Sequence, residues 1–291
     1  MMPAASDPFQ TQHQLQALLA AADLRPRKRF GQHFLIDRQL MGKLVASAEL
    51  SAADTVVEVG CGTGSLTGAL AARAGRVVAF EVDAAIAVVA AQTLTGLGNV
   101  ELRVGDALDS KSRLSRAWRE TTGERPFKLV ANLPYDIATP LLLNLLTDGL
   151  AVERMCFTVQ REVGDRLMAA AGTAAYGVAS VLVGRVGRLR AASPGAATSV
   201  LAAAEGRERS AADAAAWARR AVVAGLGGLR RGRAAPFQQR RKTLAHVARQ
   251  LSDGEAWLAA FRVVGVDPAT RPERVAPDQW LAAWRQHSTV R

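Results

Sequence analysis

At 291 residues, 49% hydrophobic and 22% charged, the chain is long enough for one substantial α/β domain plus a smaller one, and it is expected to fold as a soluble globule. Its two cysteines, Cys61 and Cys156, stand in neither a CxxC nor a Cys/His spacing, which argues against a disulfide framework and against a metal site, and for a reducing, cytoplasmic setting. A formal net charge of +11 and a pI near 10.8 point to polyanionic partners, nucleic acid above all; no apolar run reaches the roughly 18 to 20 residues that cross a bilayer, and no signal peptide is read at the start.

Residues 1–24 read as a mobile arm with a short helix over 12–22, followed by the basic cluster Arg25, Arg27, Lys28 and Arg29. From Asp54 short apolar runs alternate with helical patterns: strands over 55–59, 77–82 and 100–104, helices over 66–74 and 84–94. That order predicts βαβαβ units and a mainly parallel, doubly wound sheet. Further strands fit 127–131 and 155–160, with helices at 140–146 and 161–170. After about Arg188 the periodicity is lost in Ala-, Arg- and Gly-rich text that runs to Ala235. From Pro236 the pattern turns helical, with Leu244, Val247, Leu251, Trp257, Leu258, Phe261, Trp280, Leu281 and Trp284 as the apolar set. The expected organisation is an arm (1–24), an α/β domain (25–212, atypical over 188–235) and a small helical domain (213–291).

Three features on successive strand ends carry chemistry. Val56-Val57-Glu58-Val59-Gly60-Cys61-Gly62-Thr63-Gly64 is a buried strand running into a glycine-rich turn that opens a helix. Its glycines let backbone approach a ligand, either a dinucleotide pyrophosphate or the methionine part of S-adenosylmethionine. Glu81, at the end of the next strand, can accept both ribose hydroxyls of an adenine nucleoside in either case. Asp106 favours S-adenosylmethionine, because an acid after the third strand can accept the adenine amino group. Downstream stands Asn132-Leu133-Pro134-Tyr135, again after an apolar strand. An adenine amine is a poor nucleophile, since its lone pair is delocalised into the ring. The Asn132 side-chain oxygen and the Leu133 carbonyl can each accept one amine hydrogen and aim the lone pair, Pro134 stiffens the turn, and Tyr135 can stack on the base. Arg27, Lys28, Arg29, Arg240, Arg241 and Lys242 are candidates for phosphate contacts.

Arg27-Lys28-Arg29-Phe30-Gly31-Gln32-His33-Phe34-Leu35, the glycine-rich turn, the Asn132–Tyr135 turn, Val159-Gln160-Arg161-Glu162-Val163, Ala175-Tyr176-Gly177 and Gln239-Arg240-Arg241-Lys242-Thr243-Leu244 resemble, in the same order, the KsgA family of bacterial ribosomal RNA adenine N6,N6-dimethyltransferases. The resemblance covers roughly 25–187 and 236–275. It implies a Rossmann-like class I methyltransferase sheet with a small C-terminal helical domain, and S-adenosylmethionine as methyl donor without a metal. The implied target is two adjacent adenosines in a hairpin loop near the 3′ end of small-subunit (16S) RNA, dimethylated by a monomer on the assembling 30S subunit. It also implies that His33 and Leu35 close over the cofactor, that Gly60, Gly62, Glu81 and Asp106 hold it, and that Asn132 bridges cofactor and target. Two positions depart from the pattern: His33 stands where the family usually has Asn, and Asp136 where it has Asn or His. The Erm-type enzymes of large-subunit RNA share the cofactor motifs, but the Gln160–Val163 and Arg240–Thr243 blocks favour the small-subunit branch. Two functions of a different class compete with methyl transfer: an RNA-binding assembly factor without turnover, and a nicotinamide dehydrogenase. The first is opposed by the intact Asn132 and Tyr135, the second by the unexplained Asn-Leu-Pro-Tyr turn.

Over 188–235 the family would supply two more strands and a Pro-rich loop whose aromatic presses the target base from the face opposite the tyrosine. Residues 188–216 contain no Phe, Tyr or Trp, and Pro194 is their only proline. Length is kept while content is lost, as two compensating frameshifts in a GC-rich gene, real or from a sequencing error, would leave it; the alternative is genuine divergence of a surface region. With the residues as written, the sheet is expected to lack its last strands and the base clamp to be one-sided.

Overall fold

Apolar strand runs separated by helical stretches assemble into an open α/β sheet in the computed structural model, which describes residues 9–24, 35–134, 136–186, 188–191, 198–204, 239 and 241–289. The strands are β1 (Thr55–Val59), β2 (Arg76–Glu81), β3 (Val100–Val104), a small hairpin of β4 (Leu108–Ser110) and β5 (Arg113–Leu114), β6 (Phe127–Asn132), β7 (Val152–Gln160), β8 (Arg188–Ala191) and β9 (Thr198–Ala204). Their order in the main sheet is β3-β2-β1-β6-β7-β9-β8. Pairing is parallel from β3 through β7 and antiparallel between β7 and β9. The chain builds outward from β1 to β3 and then crosses to β6 on the other side of β1. A crevice therefore opens beyond the carboxyl ends of β1 and β6, where doubly wound sheets place their ligands.

Burial on both faces explains why the central strands read as continuous apolar runs rather than alternating ones. Val56 and Val57 of β1, Val77 and Val78 of β2 and Leu129 and Val130 of β6 have no exposed surface. Against one face pack Leu44 and Val45 of α2 (Arg38–Ser47) and Leu66, Ala69 and Leu70 of α3 (Ser65–Ala71). Cys156 sits in this same cluster, where burial pushes its thiol up to about 11. It is a core residue. Trp118, on α5 (Ala117–Thr122), stacks on Phe80 with ring centroids 5.3 Å apart and donates its indole N–H to the Ala107 carbonyl at 2.9 Å.

The segment read from sequence as an arm carries α1 (Gln12–Ala21), opened by a capping box in which Thr11 and Gln14 exchange side-chain and backbone hydrogen bonds. Leu15 and Leu19 of this helix pack on Ile86 of α4 (Ala84–Thr93), and Phe9 packs on the core under the sheet.

Two strands form where the sequence predicts none. The β7–β9 ladder runs without interruption from Arg154 opposite Ala204 to Gln160 opposite Thr198, which corrects the expectation of a sheet lacking its last strands. The reason is that a ladder is built from backbone N–H and C=O groups, which alanine supplies as fully as valine does; strand propensity is a weaker constraint than an open edge to pair with. The expected loop with its missing aromatic, and most of the stretch suspected of frameshift, lie outside the described residues.

The chain divides into two compact units. One comprises 1–144, 150–161 and 190–205 and holds the strands β1–β7 and β9; the other comprises 145–149, 162–189 and 206–291. The expected domain boundary at 212/213 falls outside the described residues. Within the second unit, Leu244, Leu258, Phe261, Val266, Val275 and Ala283 form a separate core, with Trp257 and Trp280 beside it. The helices of that core are α9 (Leu244–Ala248), α10 (Gly254–Val263) and α11 (Pro277–Thr289), following α6 (Ala138–Thr147), α7 (Arg161–Leu167) and α8 (Val178–Val186) in the chain. Tyr176, 1% exposed, donates its hydroxyl to the Val275 carbonyl at 2.8 Å, so the Ala175-Tyr176-Gly177 motif serves packing in this unit. His287 stacks on Trp257 at 4.3 Å and meets the Asp253 carboxylate at 3.1 Å. No helix among the described residues is long and apolar enough to cross a membrane.

Candidate active site

The glycine-rich turn leaves β1 through three residues in the left-handed region, Gly60 (φ 77°), Gly62 (φ 57°) and Gly64 (φ 86°), before α3 begins. Only glycine holds such angles without strain, which is why the sequence alternates as it does. At Gly60 the demand is also spatial: a Cβ there would come within 3.2 Å of the Pro134 ring. The first motif and the Asn-Leu-Pro turn thus touch across the mouth of the crevice. Gly60 and Cys61 both donate backbone N–H groups to the Phe80 carbonyl, at 2.9 and 3.1 Å, which fastens the turn to the end of β2.

Glu81 follows Phe80 and is 5% exposed. Its two carboxylate oxygens are positioned by different parts of the chain: Oε2 accepts the Gly62 N–H at 2.9 Å and Oε1 the Asp83 N–H at 3.0 Å. Each oxygen keeps a lone pair for a further donor. Burial raises the pKa of this carboxyl above the ordinary range, against the pull of the backbone N–H groups around it. Asp83 caps α4 by accepting the Ala85 N–H at 3.0 Å, so the second acid of this strand end is structural. Asp106 follows β3 on an exposed turn whose Gly105 N–H bonds the Glu81 carbonyl at 2.8 Å; one carboxylate oxygen of Asp106 accepts the Leu108 N–H at 2.9 Å.

Asn132 ends β6, half-buried, and its partner in register on β7 is Thr158. The fully buried Thr158 hydroxyl donates to Asn132 Oδ1, and the Leu133 N–H donates to the Thr158 carbonyl at 3.2 Å. The Thr158 hydroxyl thus fixes which way the Asn132 amide faces. The Pro134 carbonyl accepts from Ala138 at 3.0 Å, so the turn runs directly into α6.

These strand ends enclose a cavity of about 300 Å³ lined, among others, by Leu35, Gly60, Gly62, Glu81, Asp106, Asn132, Leu133, Pro134 and Asp136. Seven of the sequence-predicted cofactor and catalytic positions besides Asn132 thus share one cavity with it. Arg241 and Lys242 are exposed just before α9, in the second unit. His33, Tyr135, Arg27, Lys28, Arg29 and Arg240 lie outside the described residues. Gln10, Met41, Glu58, Thr63 and Ile137 also line the cavity and were missed by sequence reasoning. Only the Thr11-x-x-Gln14 capping signature hinted that the first residues are ordered enough to take part.

Glu58, one strand position before Val59, is 1% exposed and accepts the Thr67 hydroxyl at 2.7 Å. Burial pushes its carboxyl up to about 8, with the nearby Glu81 carboxylate adding to the rise. A raised value means that the fold prefers the protonated form. The stability this contributes is whole below the unfolded-state value near 4.5 and is lost as pH climbs through about 8. Glu58→Gln, which mimics the neutral acid, is expected to flatten the fall in unfolding free energy between about pH 5 and pH 8 by an amount on the order of a few kcal/mol. Urea denaturation across that range checks it, and parallel pH profiles for the two proteins would refute it.

The sequence pattern of the family described as ribosomal RNA adenine dimethylase matches residues 24–186. The chain belongs to the ribosomal RNA adenine dimethylase family. Curated relatives of this dimethylase chain extend over nearly its whole length. The ribosomal RNA small subunit methyltransferase A of Pelotomaculum thermopropionicum is 38% identical over 268 residues, covering 89% of this chain and 90% of that protein. Its counterpart in Corynebacterium jeikeium is 33% identical over 293 residues, covering 92% and 93%. Among solved structures, a dimethyladenosine transferase from Plasmodium falciparum is 17% identical and covers 88% of this chain and 98% of its own, with a TM-score of 0.65. The 23S rRNA methyltransferase ErmE, 21% identical, covers 88% and 100% with a TM-score of 0.56. At these identities the structural likeness establishes the fold: the class I methyltransferase sheet expected from the sequence. For a dimethylase the cavity is apt in kind, since a buried carboxylate stands at the end of β2 and a turn held by glycines at positive φ donates a backbone N–H to it.

Proposed function

We propose that this chain transfers methyl groups from S-adenosylmethionine to the N6 amines of two adjacent adenosines in a hairpin loop near the 3′ end of small-subunit ribosomal RNA. The observation that carries this reading is the fixed Asn132 amide, set in one cavity with Glu81, Asp106 and the glycine-rich turn. Gly60 and Gly62 offer backbone close to the methionine part, Glu81 accepts the ribose hydroxyls, Asp106 the adenine amine, and Leu35 with His33 closes the cofactor side. S-adenosylmethionine supplies the methyl as an electrophile on a sulfonium, whose sulfur keeps the bonding pair as the new N–C bond forms. Asn132 and the Leu133 carbonyl accept the amine hydrogens and turn the nitrogen lone pair toward that methyl, while Tyr135 stacks on the base and Pro134 holds the turn. Once methylated the nitrogen is cationic and releases a proton readily, so no strong base and no metal ion enters the scheme. A monomethylated amine keeps one hydrogen, enough to engage one acceptor for the second round.

The first unit would carry the chemistry. The basic residues Arg27, Lys28, Arg29, Arg240, Arg241 and Lys242 would contact phosphates of the assembling 30S subunit, where a cytoplasmic monomer binds with strong salt dependence. The relatives' names favour the small subunit over an Erm-type target, because relatives 33 to 38% identical over about nine-tenths of this chain are named for small-subunit RNA, whereas ErmE is 21% identical. The test is incubation of the full chain with tritiated S-adenosylmethionine and small subunits lacking the modification, followed by nucleoside analysis. Labelled N6,N6-dimethyladenosine is expected; RNA binding without label would instead mean an assembly factor that has lost turnover.

A further inference from the structure

Gln10 has no place in the motifs, yet three hydrogen bonds join it to the glycine-rich turn. Its backbone N–H donates to Ser65 Oγ at 2.9 Å, its Nε2 donates to the Thr63 carbonyl at 3.2 Å, and its Oε1 accepts the Thr63 hydroxyl at 2.6 Å. One carboxamide thus reads both the donor and the acceptor of a single residue. A glutamate lacks the donor for this and a lysine the acceptor. Gln10 is itself held from both sides: Phe9 is packed on the core under the sheet, and Thr11 caps α1, whose Leu15 and Leu19 sit on Ile86.

The turn it grips has a particular need of such support. Three glycines between positions 60 and 64 hold positive φ, and glycine loses more conformational freedom on ordering than any other residue. A ligand that meets a turn already ordered does not have to supply that entropy itself. Thr63 is 2% exposed and lines the cavity, as does Gln10. We propose that Gln10 is a positioning residue for the cofactor turn: the N-terminal segment acts as a strap whose grip on Thr63 and Ser65 sets the affinity for S-adenosylmethionine. This rests on the reading that S-adenosylmethionine binds in this cavity.

The experiment compares the full-length chain with Gln10→Ala, Gln10→Glu, Thr63→Val and the double variant, titrated calorimetrically with S-adenosylmethionine. Gln10→Ala and Thr63→Val are each expected to weaken binding about tenfold, the double variant no more than either alone, and Gln10→Glu, which keeps the acceptor, by an intermediate factor. In methyl transfer, KM for S-adenosylmethionine should rise while kcat at saturation changes less than about twofold, a split that general loss of folded protein does not produce. Hydrogen exchange of the amides at 60–65, without ligand, should quicken in Gln10→Ala and not at β6 or β7. Equal affinities of wild type and Gln10→Ala, or fully additive single effects, would overturn the strap. A wild-type chain that binds no S-adenosylmethionine would overturn the reading of the cavity instead, and unchanged exchange at 60–65 would then overturn the strap separately.

Discussion

Replacing Asn132 by alanine is expected to lower methyl transfer about 10²- to 10³-fold while leaving small-subunit binding within about threefold of wild type. The expectation follows from what the side chain does. Its oxygen is an acceptor aimed by a buried hydroxyl, and the amine it would hold is unreactive until its hydrogens are taken up out of the ring plane. Alanine leaves the cavity and the basic surface intact but removes that acceptor. The same logic gives a graded companion: Thr158→Val, nearly isosteric, deletes the hydroxyl that fixes the Asn132 amide and is expected to reduce kcat about tenfold, with Thr158→Ser restoring most of it. Single-turnover assays on unmodified small subunits check both. Unchanged turnover in Asn132→Ala would mean that the amine is held by another group.

Glu81→Gln is expected to weaken S-adenosylmethionine binding about 100-fold, the effect of losing a charged acceptor for two hydroxyls together with a donor set against donors. In the native turn both carboxylate oxygens already take backbone N–H groups, from Gly62 and Asp83. A carboxamide must turn its NH₂ toward one of them, so the variant perturbs the turn as well as the ligand contact. A pH dependence accompanies it. Burial raises the Glu81 carboxyl above its ordinary range, and only the ionised form accepts at every lone pair, so affinity in the wild type should fall as pH drops into the acid range and be restored above it. Calorimetric titrations at several pH values would show this slope in the wild type and its absence in Glu81→Gln. A wild-type affinity flat with pH, or a variant that binds as tightly as the parent, contradicts the assignment.

Much of this site was legible because its demands are local. Gly60, Gly62 and Gly64 announce a backbone in the left-handed region, Glu81 and Asp106 stand at strand ends that the apolar runs mark out, and Asn132 to Pro134 follow a buried strand. What was not legible depends on contacts between distant segments. Thr158 is an ordinary strand residue until the β6–β7 register sets it opposite Asn132. Gln10 lies 53 residues from the threonine it grips, within a segment whose Ala- and Gln-rich composition suggests mobility. Its order comes from Phe9, Leu15 and Leu19 finding apolar partners on the sheet domain, a tertiary effect that composition does not reveal. Strand β9 was missed for the opposite reason: its text has little strand character, and the open edge of β7 supplies the pairing that propensity does not. Glu58 read as one letter of a motif, and only its full burial shows it to be a carboxyl pushed toward the neutral form and held by the Thr67 hydroxyl.

Dimethylation of adjacent adenosines in small-subunit RNA is checked by mapping the methyl groups. Unmodified small and large subunits are incubated separately with the full chain and S-adenosylmethionine, and nuclease fragments of each RNA are weighed by mass spectrometry. A fragment from the hairpin near the 3′ end of small-subunit RNA is expected to gain four methyl groups, two on each of two neighbouring adenosines, with no gain in large-subunit RNA. Methyl groups appearing on large-subunit RNA, or on neither, would contradict it.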